Sequence, residues 1–241
     1  MPVYRDLPDR SENRRGVTKM PTTYAHDLFG KRVYRKLSAK LQHLIRSNGN
    51  LYRIGQHGPD ILFISKNPVT QYGVQMHGRK AREFFEKGMA KVREEKNPAL
   101  MAYLLGFGCH YILDSTCHPY VNQVAAEGKV SHTLFEKEFD RMLMYETGKD
   151  PLRFYPSHGI RASFLSAWTI HQVLPAIRTW NIYLSWKMMK IFTCILVCDD
   201  GGRKRRLSEY ALSPAGKKIS AFITEFFMSP EPEIDCKEEL L

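Results

Sequence analysis

The sequence has few cysteines, no long apolar run and fewer acids than bases, and each shortage narrows what the chain can be. Five cysteines (Cys109, Cys117, Cys194, Cys198 and Cys236) form a sparse, odd-numbered set. That argues against a disulfide framework and for reduced thiols in a cytosolic protein. The longest apolar stretch, around Ile191–Cys198, falls far short of the roughly 20 residues a spanning helix needs. The opening segment MPVYRDLPDRSENRRGVTK is polar and charged and carries no apolar signal core. These absences predict a soluble, cytoplasmic protein. No internal repeat and no run of alternating strands is legible. Acids number 25 against 36 bases, a net charge of +11, which favours nucleic acid, anionic lipid or phosphorylated substrates as partners. Charge alone does not choose among them. At 241 residues the chain is long enough for one substantial domain with its own core.

Residues 1–19 lack an apolar period and read as a disordered extension, with the folded domain spanning 20–241. From Thr23, apolar positions at Leu28, Val33, Leu37, Leu41, Leu44 and Ile45 recur at helical spacing until Asn48-Gly49-Asn50. A loop should follow, punctuated by Gly55, Gly58, Pro59, Asn67, Pro68 and Gly73. A second helix is expected at 78–95, ended by Asn97-Pro98. Ala99 to Ala126 is apolar on nearly every side and reads as the central buried helix, kinked or ended by Pro119. Ser131 is placed to cap a helix running to about Tyr145. Further helices are expected at 162–180, 181–197 and 214–228, with a basic turn at Gly201–Arg206 and an acidic tail. The fold class is all-α, a helical bundle whose metal ligands face inward.

The informative feature is a polar stripe on the greasiest helix. His110, Asp114 and His118 are spaced four apart, so each step drifts only about 40° and rises about 6 Å. His132 and Glu136 repeat that spacing on the next helix. Burying such groups costs several kcal/mol unless something pairs with them. Zn²⁺ pairs well, because imidazole nitrogen and carboxylate oxygen are among its favoured ligands. A single buried histidine is more often a satisfied core residue; two linked stripes reverse that judgement. Spacing alone leaves His77 a cap, Asp60 a turn former and His26 a surface residue as readily as site groups.

Taken in order, GQHGPDILF from Gly55, YLLGFGCHYILDSTCHPY from Tyr103 and SHTLFEKEFDR from Ser131 resemble the zinc-dependent phospholipase C family. That superfamily also includes single-strand nucleases on the same helical fold. The resemblance covers roughly Met20 to Asp150. It implies a zinc-dependent phosphodiester hydrolase, most plausibly cleaving phospholipids, with two or three zinc ions. It implies that His77, His110 and Asp114 hold one zinc, and that His118, His132 and Glu136 hold a second. His26 would belong to a third site bridged by Asp114. Asp60 would stand beside the reactive water as general base rather than as a ligand. His43, His57, His158 and His171 match no ligand position and read as surface or packing residues. Ser115, Thr116 and Asn122 are candidates to orient the imidazoles, or equally to cap and face solvent.

The four-residue step from Asp114 to His118 is two residues shorter than in secreted bacterial phospholipases. It is closer to the glycosylphosphatidylinositol-specific phospholipase D branch, so the side of the phosphate that is cut stays open. No tryptophan near His26 supplies the amine that the family's third site uses. Met20-Pro21 looks like the start of family members without a signal peptide, and a free Pro21 amine would then serve as that ligand. The C-terminal third resembles the family weakly and reads as ending before a last helix. Trp180–Phe192 mixes aromatics, methionines and lysines, which suits either a bilayer edge or core packing with snorkelling lysines. Arg203–Arg206 suits either a nucleic-acid backbone or a solvated loop. The competing functions are a nuclease, a phospholipase D or small-molecule phosphodiesterase on the same metals, and a non-catalytic zinc protein. A waiting base at Asp60 would have no purpose in the last.

Overall fold

The computed structural model describes residues 23–65, 68–128, 130–197, 206, 228–229 and 231–236. Among them the regular elements are helical throughout: α1 (Thr23–Lys36), α2 (Ala39–Ser47), α3 (Gly49–Gly55), a 3-10 turn (Gly58–Leu62), α4 (Val69–Gly78), α5 (Arg82–Glu95), α6 (Pro98–Ala126), α7 (His132–Glu146), α8 (Phe164–His171) and α9 (Thr179–Val197). The all-α expectation is borne out. The expected extension at 1–19 and the Met20-Pro21 start lie outside the described residues. So do the basic turn except Arg206, and the helix expected at 214–228 except Met228.

α6 is the axis. Asn97 caps it by accepting from the Leu100 N–H at 3.1 Å, and Pro98 sits at its first turn, where a missing N–H costs nothing. Its first half, with Leu100, Tyr103, Leu104 and Phe107, is the centre of the main core. Ile54, Ile61, Ile170, Leu174, Ile182 and Trp186 complete that core from the flanking elements. Pro119 stands inside α6 without ending it. Ser131 caps α7 as expected, accepting from the Leu134 N–H at 3.2 Å. Lys137 and Arg141 of α7 then hold the C-terminal segment, Lys137 through Glu233 at 2.5 Å and Arg141 through the Ser229 carbonyl at 2.5 Å.

Three sequence expectations need correction. The single run from Thr23 to Ile45 is two helices, broken at Leu37-Ser38, where the Gln42 amide donates to the Tyr34 and Leu37 carbonyls. The loop expected after Asn50 is largely helical, because its glycines serve close packing. A Cβ on Gly55 would meet the Tyr103 carbonyl oxygen at 2.2 Å, and one on Gly106 would meet the Tyr52 carbonyl oxygen at 2.1 Å. α3 thus lies backbone to backbone on α6, its most extensive contact. Gly73 packs α4 against the 3-10 turn, where a Cβ would lie 3.0 Å from the Leu62 Cβ. Finally, the helix expected at 162–180 ends at His171. Pro175 disfavours helical backbone at Leu174 before it, and turns carry the chain to α9.

Gly106 and Gly108 separate packing from propensity on one helix. Gly106→Ala should destabilise the fold by about 1–3 kcal/mol through overpacking. Gly108→Ala, whose Cβ would meet only Phe85 at 3.9 Å, should stabilise it by about 0.5–1 kcal/mol. Urea unfolding of both variants checks the opposite signs.

Candidate metal centre

Five elements bring the eight expected residues together. α1 supplies His26, the 3-10 turn Asp60, α4 His77, α6 the stripe His110, Asp114 and His118, and α7 His132 and Glu136. The Asp114 carboxylate stands at their centre. Its Oδ2 lies 3.1 Å from His110 Nε2 and 3.7 Å from His77 Nε2. Its Oδ1 lies 3.2 Å from His26 Nε2 and 3.9 Å from His118 Nε2. Glu136 Oε1 continues the chain of contacts, 3.3 Å from His118 Nε2 and 2.9 Å from His132 Nε2. Asp60 meets His77 Nε2 through Oδ1 at 2.8 Å and His110 Nδ1 through Oδ2 at 3.5 Å.

Three groups among the described residues bring their donor atoms close enough to share an ion: His26/His110/Asp114, Asp60/His77/His110 and His118/His132/Glu136. The last is the set expected for one zinc. The first two share His110 but separate His77 from Asp114, and they add His26 and Asp60, whose carboxylate lies among the donor atoms rather than behind them.

The electrostatics favour cation binding. Burial works to raise the Asp114 pKa, but hydrogen bonds from His110 and His26 outweigh it and hold the carboxyl far below the usual range. Burial likewise opposes ionisation of Glu136, and His118 and His132 overcome it. Burial lowers the His77 pKa, yet the negative charge of Asp60, 2.8 Å from His77 Nε2, pushes it up to about 9. Despite these short distances, both Asp60 oxygens, His110 Nδ1 and His26 Nδ1 are buried without an aligned hydrogen-bond partner. A carboxylate with both oxygens buried and unbonded is costly. A cation among these nitrogen and oxygen donors removes that cost, and the donor set suits zinc.

Supporting contacts orient the candidate side chains. His132 Nδ1 lies 3.1 Å from Asn122 Oδ1, and His77 Nδ1 lies 3.1 Å from the Gly73 carbonyl. Donation from each Nδ1–H leaves the Nε2 lone pair facing the site. Of the three expected orienting residues only Asn122 does this; Ser115 and Thr116 turn back to the Ile112 carbonyl. Two supports escaped sequence reading. Buried Asp140, one turn beyond Glu136, accepts from the Tyr24 N–H at 2.9 Å and the Ala25 N–H at 2.8 Å, fastening the start of α1 and therefore His26. Burial pushes its carboxyl up to about 7 despite those two donors. The continued four-residue step His132, Glu136, Asp140 was the available signal. Gly58, at φ +48°, lies so close to the His110 ring that a Cβ would meet it at 2.2 Å. The tripeptide Gly58-Pro59-Asp60 suggested a turn but not this contact.

The remaining histidines stay out of these groups, as expected. His43 and His158 are exposed, and His171 Nδ1 bonds the Ile177 carbonyl at 2.7 Å. His57 is buried and uncharged, its pKa lowered to about 3 by burial and by the charges of His26 and His110. The site opens into a cleft of about 650 Å³ whose floor holds His77, His110, Asp114 and His118. Tyr72, Phe84, Phe107 and Tyr111 form apolar walls, and Arg79, Lys80 and Lys87 line the cleft as cations.

Gly58→Ala tests how tightly the His110 ring is held. The new methyl must displace that ring or the 3-10 turn carrying Asp60. A misplacement of about 1 Å at a reacting centre costs about a hundredfold in rate. The variant should lose about that much turnover and bind zinc more weakly while its circular dichroism stays helical.

The family whose description is zinc dependent phospholipase C matches residues 25–190. No curated protein and no solved structure shows a significant match. The matched span runs from α1 into α9 and contains every residue of the centre, and the chain belongs to the zinc-dependent phospholipase C family, a family of hydrolases.

Proposed function

We propose that the cleft hydrolyses phospholipids at the glycerol–phosphate bond, using two firmly held zinc ions, with a third position at the α1 side that is filled weakly or not at all. His77, His110 and Asp114 would hold one ion and His118, His132 and Glu136 a second. His26 would share Asp114 with the third. The observation that carries this reading is the one carboxylate, Asp114, lying within 3.9 Å of four imidazoles at the floor of an open cleft. Bound zinc supplies Lewis acidity, offsetting charge at a phosphoryl group and lowering the pKa of water towards about 7.

The chain's own residues do the rest. Asp60, with both oxygens turned into the site and no aligned hydrogen bond, accepts the proton of the attacking water. Gly73 and Asn122 hold the His77 and His132 rings in the tautomer that leaves Nε2 available. Arg79 and Lys80 at the cleft attract the anionic diester, and the aromatic walls accept its apolar part. Among the described residues no helix is long and apolar enough to cross a membrane, so substrate is met at a lipid surface rather than within a span. The four described cysteines are free thiols, which supports a cytoplasmic setting.

Zinc-loaded protein should turn over phosphatidylcholine and a soluble phosphodiester, lose both activities to a chelator and regain them with zinc. Preference for single-stranded DNA in the same panel would instead make the chain a nuclease, and no turnover of any diester would make the metal structural. Asp60→Asn should lower turnover by about a hundredfold or more with zinc content nearly unchanged. A lost zinc equivalent would make Asp60 a ligand. His118→Ala should lose an ion and lower the Tm together, because the partly covered Glu136 and His132 would be left without their cation.

A further inference from the structure

The α8–α9 hairpin carries an apolar surface that neither the core nor the cleft uses. On α8, Phe164, Leu165 and Trp168 are about half exposed or more, Leu165 reaching 71%. On α9, Trp180, Leu184 and Ile191 are exposed, Trp180 at 59%. With Lys187 the α9 residues follow steps of four, three and four, a single helical stripe. Tyr183 joins the two helices: its ring centroid lies 5.6 Å from that of Trp180 and 6.3 Å from that of Phe164. Tryptophans in the same helices that point inward behave differently, since Trp186 is 0% exposed. The outward set is therefore one patch, distinct from the packed face.

Charge in the patch's own segment of chain has one sign. Between Asp150 and Asp199 the chain contains no aspartate or glutamate, while Arg161, Arg178 and Lys187 are exposed in that stretch. Lys187 Nζ lies 5.0 Å above the Tyr183 ring, its stem along the apolar surface and its ammonium at the edge. Protein interfaces are depleted in lysine relative to the rest of the surface. Exposed indoles with flanking cations and no acids are instead the composition of a helix lying in an anionic lipid interface. The patch is also tied to the cleft: Val173 and Pro175, in the connection between α8 and α9, line it.

We propose that this face of α8 and α9 is the docking surface for an anionic phospholipid bilayer, with Trp168, Trp180 and Leu165 entering the headgroup region and Arg178 and Lys187 meeting lipid phosphates. The proposal rests on the phospholipase reading above and adds where the protein touches its substrate's surface. Docking there brings the cleft wall formed by Val173 and Pro175 towards the lipid layer.

The test is flotation of the zinc-loaded protein with vesicles of phosphatidylcholine alone and of phosphatidylcholine mixed equally with phosphatidylglycerol, together with tryptophan emission. The wild type should float with the mixed vesicles, weakly with the neutral ones, and less at high salt. Its emission should shift to the blue, because two of the three tryptophans leave water while buried Trp186 gives a constant background. Trp168→Ser with Trp180→Ser should weaken vesicle binding by about tenfold or more. Arg178→Glu with Lys187→Glu should abolish the preference for the anionic vesicles. Both double variants should hydrolyse a short-chain soluble phosphodiester at the wild-type rate.

Absence of vesicle binding by the wild type overturns the proposal. So does unchanged binding by the tryptophan variant, or loss of soluble-substrate turnover alongside binding. Self-association of the wild type that the tryptophan variant abolishes would make the face a contact between copies of the chain, and also overturns it. If soluble and lipid diesters are all left intact while vesicle binding behaves as stated, the hydrolase reading fails and the docking surface stands.

Discussion

A carboxylate set among imidazoles organises this protein. Asp114 accepts contacts from His26, His77, His110 and His118 through its two oxygens, and those four side chains come from three helices. Taking such charges out of water is expensive unless their geometry is held, so the fold must bring α1, α4 and α6 to within hydrogen-bond distance of one point. Metal affinity then depends on how rigidly the protein holds the donors before the ion arrives. Among the described residues, the positive-φ Gly58 lies where that rigidity is made.

The glycines of the 50s and of α6 show how. Gly55 and Gly106 let α3 lie directly on α6, which fixes where the chain leaves α3. Three residues on, Gly58 takes a positive φ beneath the His110 ring, and Asp60 follows in the same 3-10 turn. The position of Asp60 is thus measured from α6 itself, through backbone contact rather than through a flexible side chain. On the opposite side Asp140 does the same for His26, holding the first turn of α1 by two backbone donors. That contact crosses from α7, which also carries His132 and Glu136. Both ends of the candidate metal centre are therefore braced by neighbours of the residues that could hold an ion.

This arrangement explains what the sequence disclosed and what it hid. The α6 stripe and the Ser131 cap were readable because their meaning is local: a period of four, and an oxygen three residues ahead of an N–H. Spacing showed the two stripes, but the grouping of His118 with His132 and Glu136 came from the resemblance to a family. Glycine and proline misled between Asn50 and Gly78, since a glycine that breaks a helix and one that lets two helices touch look alike until the partner is known. The four-residue step that reaches Asp140 was legible but its role was not, because its donors lie more than a hundred residues away in the chain. His26 and His77 had no local pattern, and only the resemblance to a family lifted them above surface residues.

The two halves of α6 complete the logic. From Leu100 to His110 the helix is enclosed, and its apolar residues supply the core that positions everything else. Beyond His110 it emerges: Tyr111 and Ile112 are exposed, and Asp114 and His118 are only partly covered. A helix buried along its whole length would trap the stripe away from substrate, and one exposed throughout would leave its carboxylate screened by water and weakly coupled to the imidazoles. Passing from core to cleft within one continuous helix gives Asp114 a low-dielectric side, where His26 and His110 hold it, and an open side facing the cleft. His110, 3% exposed in contrast to the partly covered residues that follow it, is the residue at which packing gives way to chemistry.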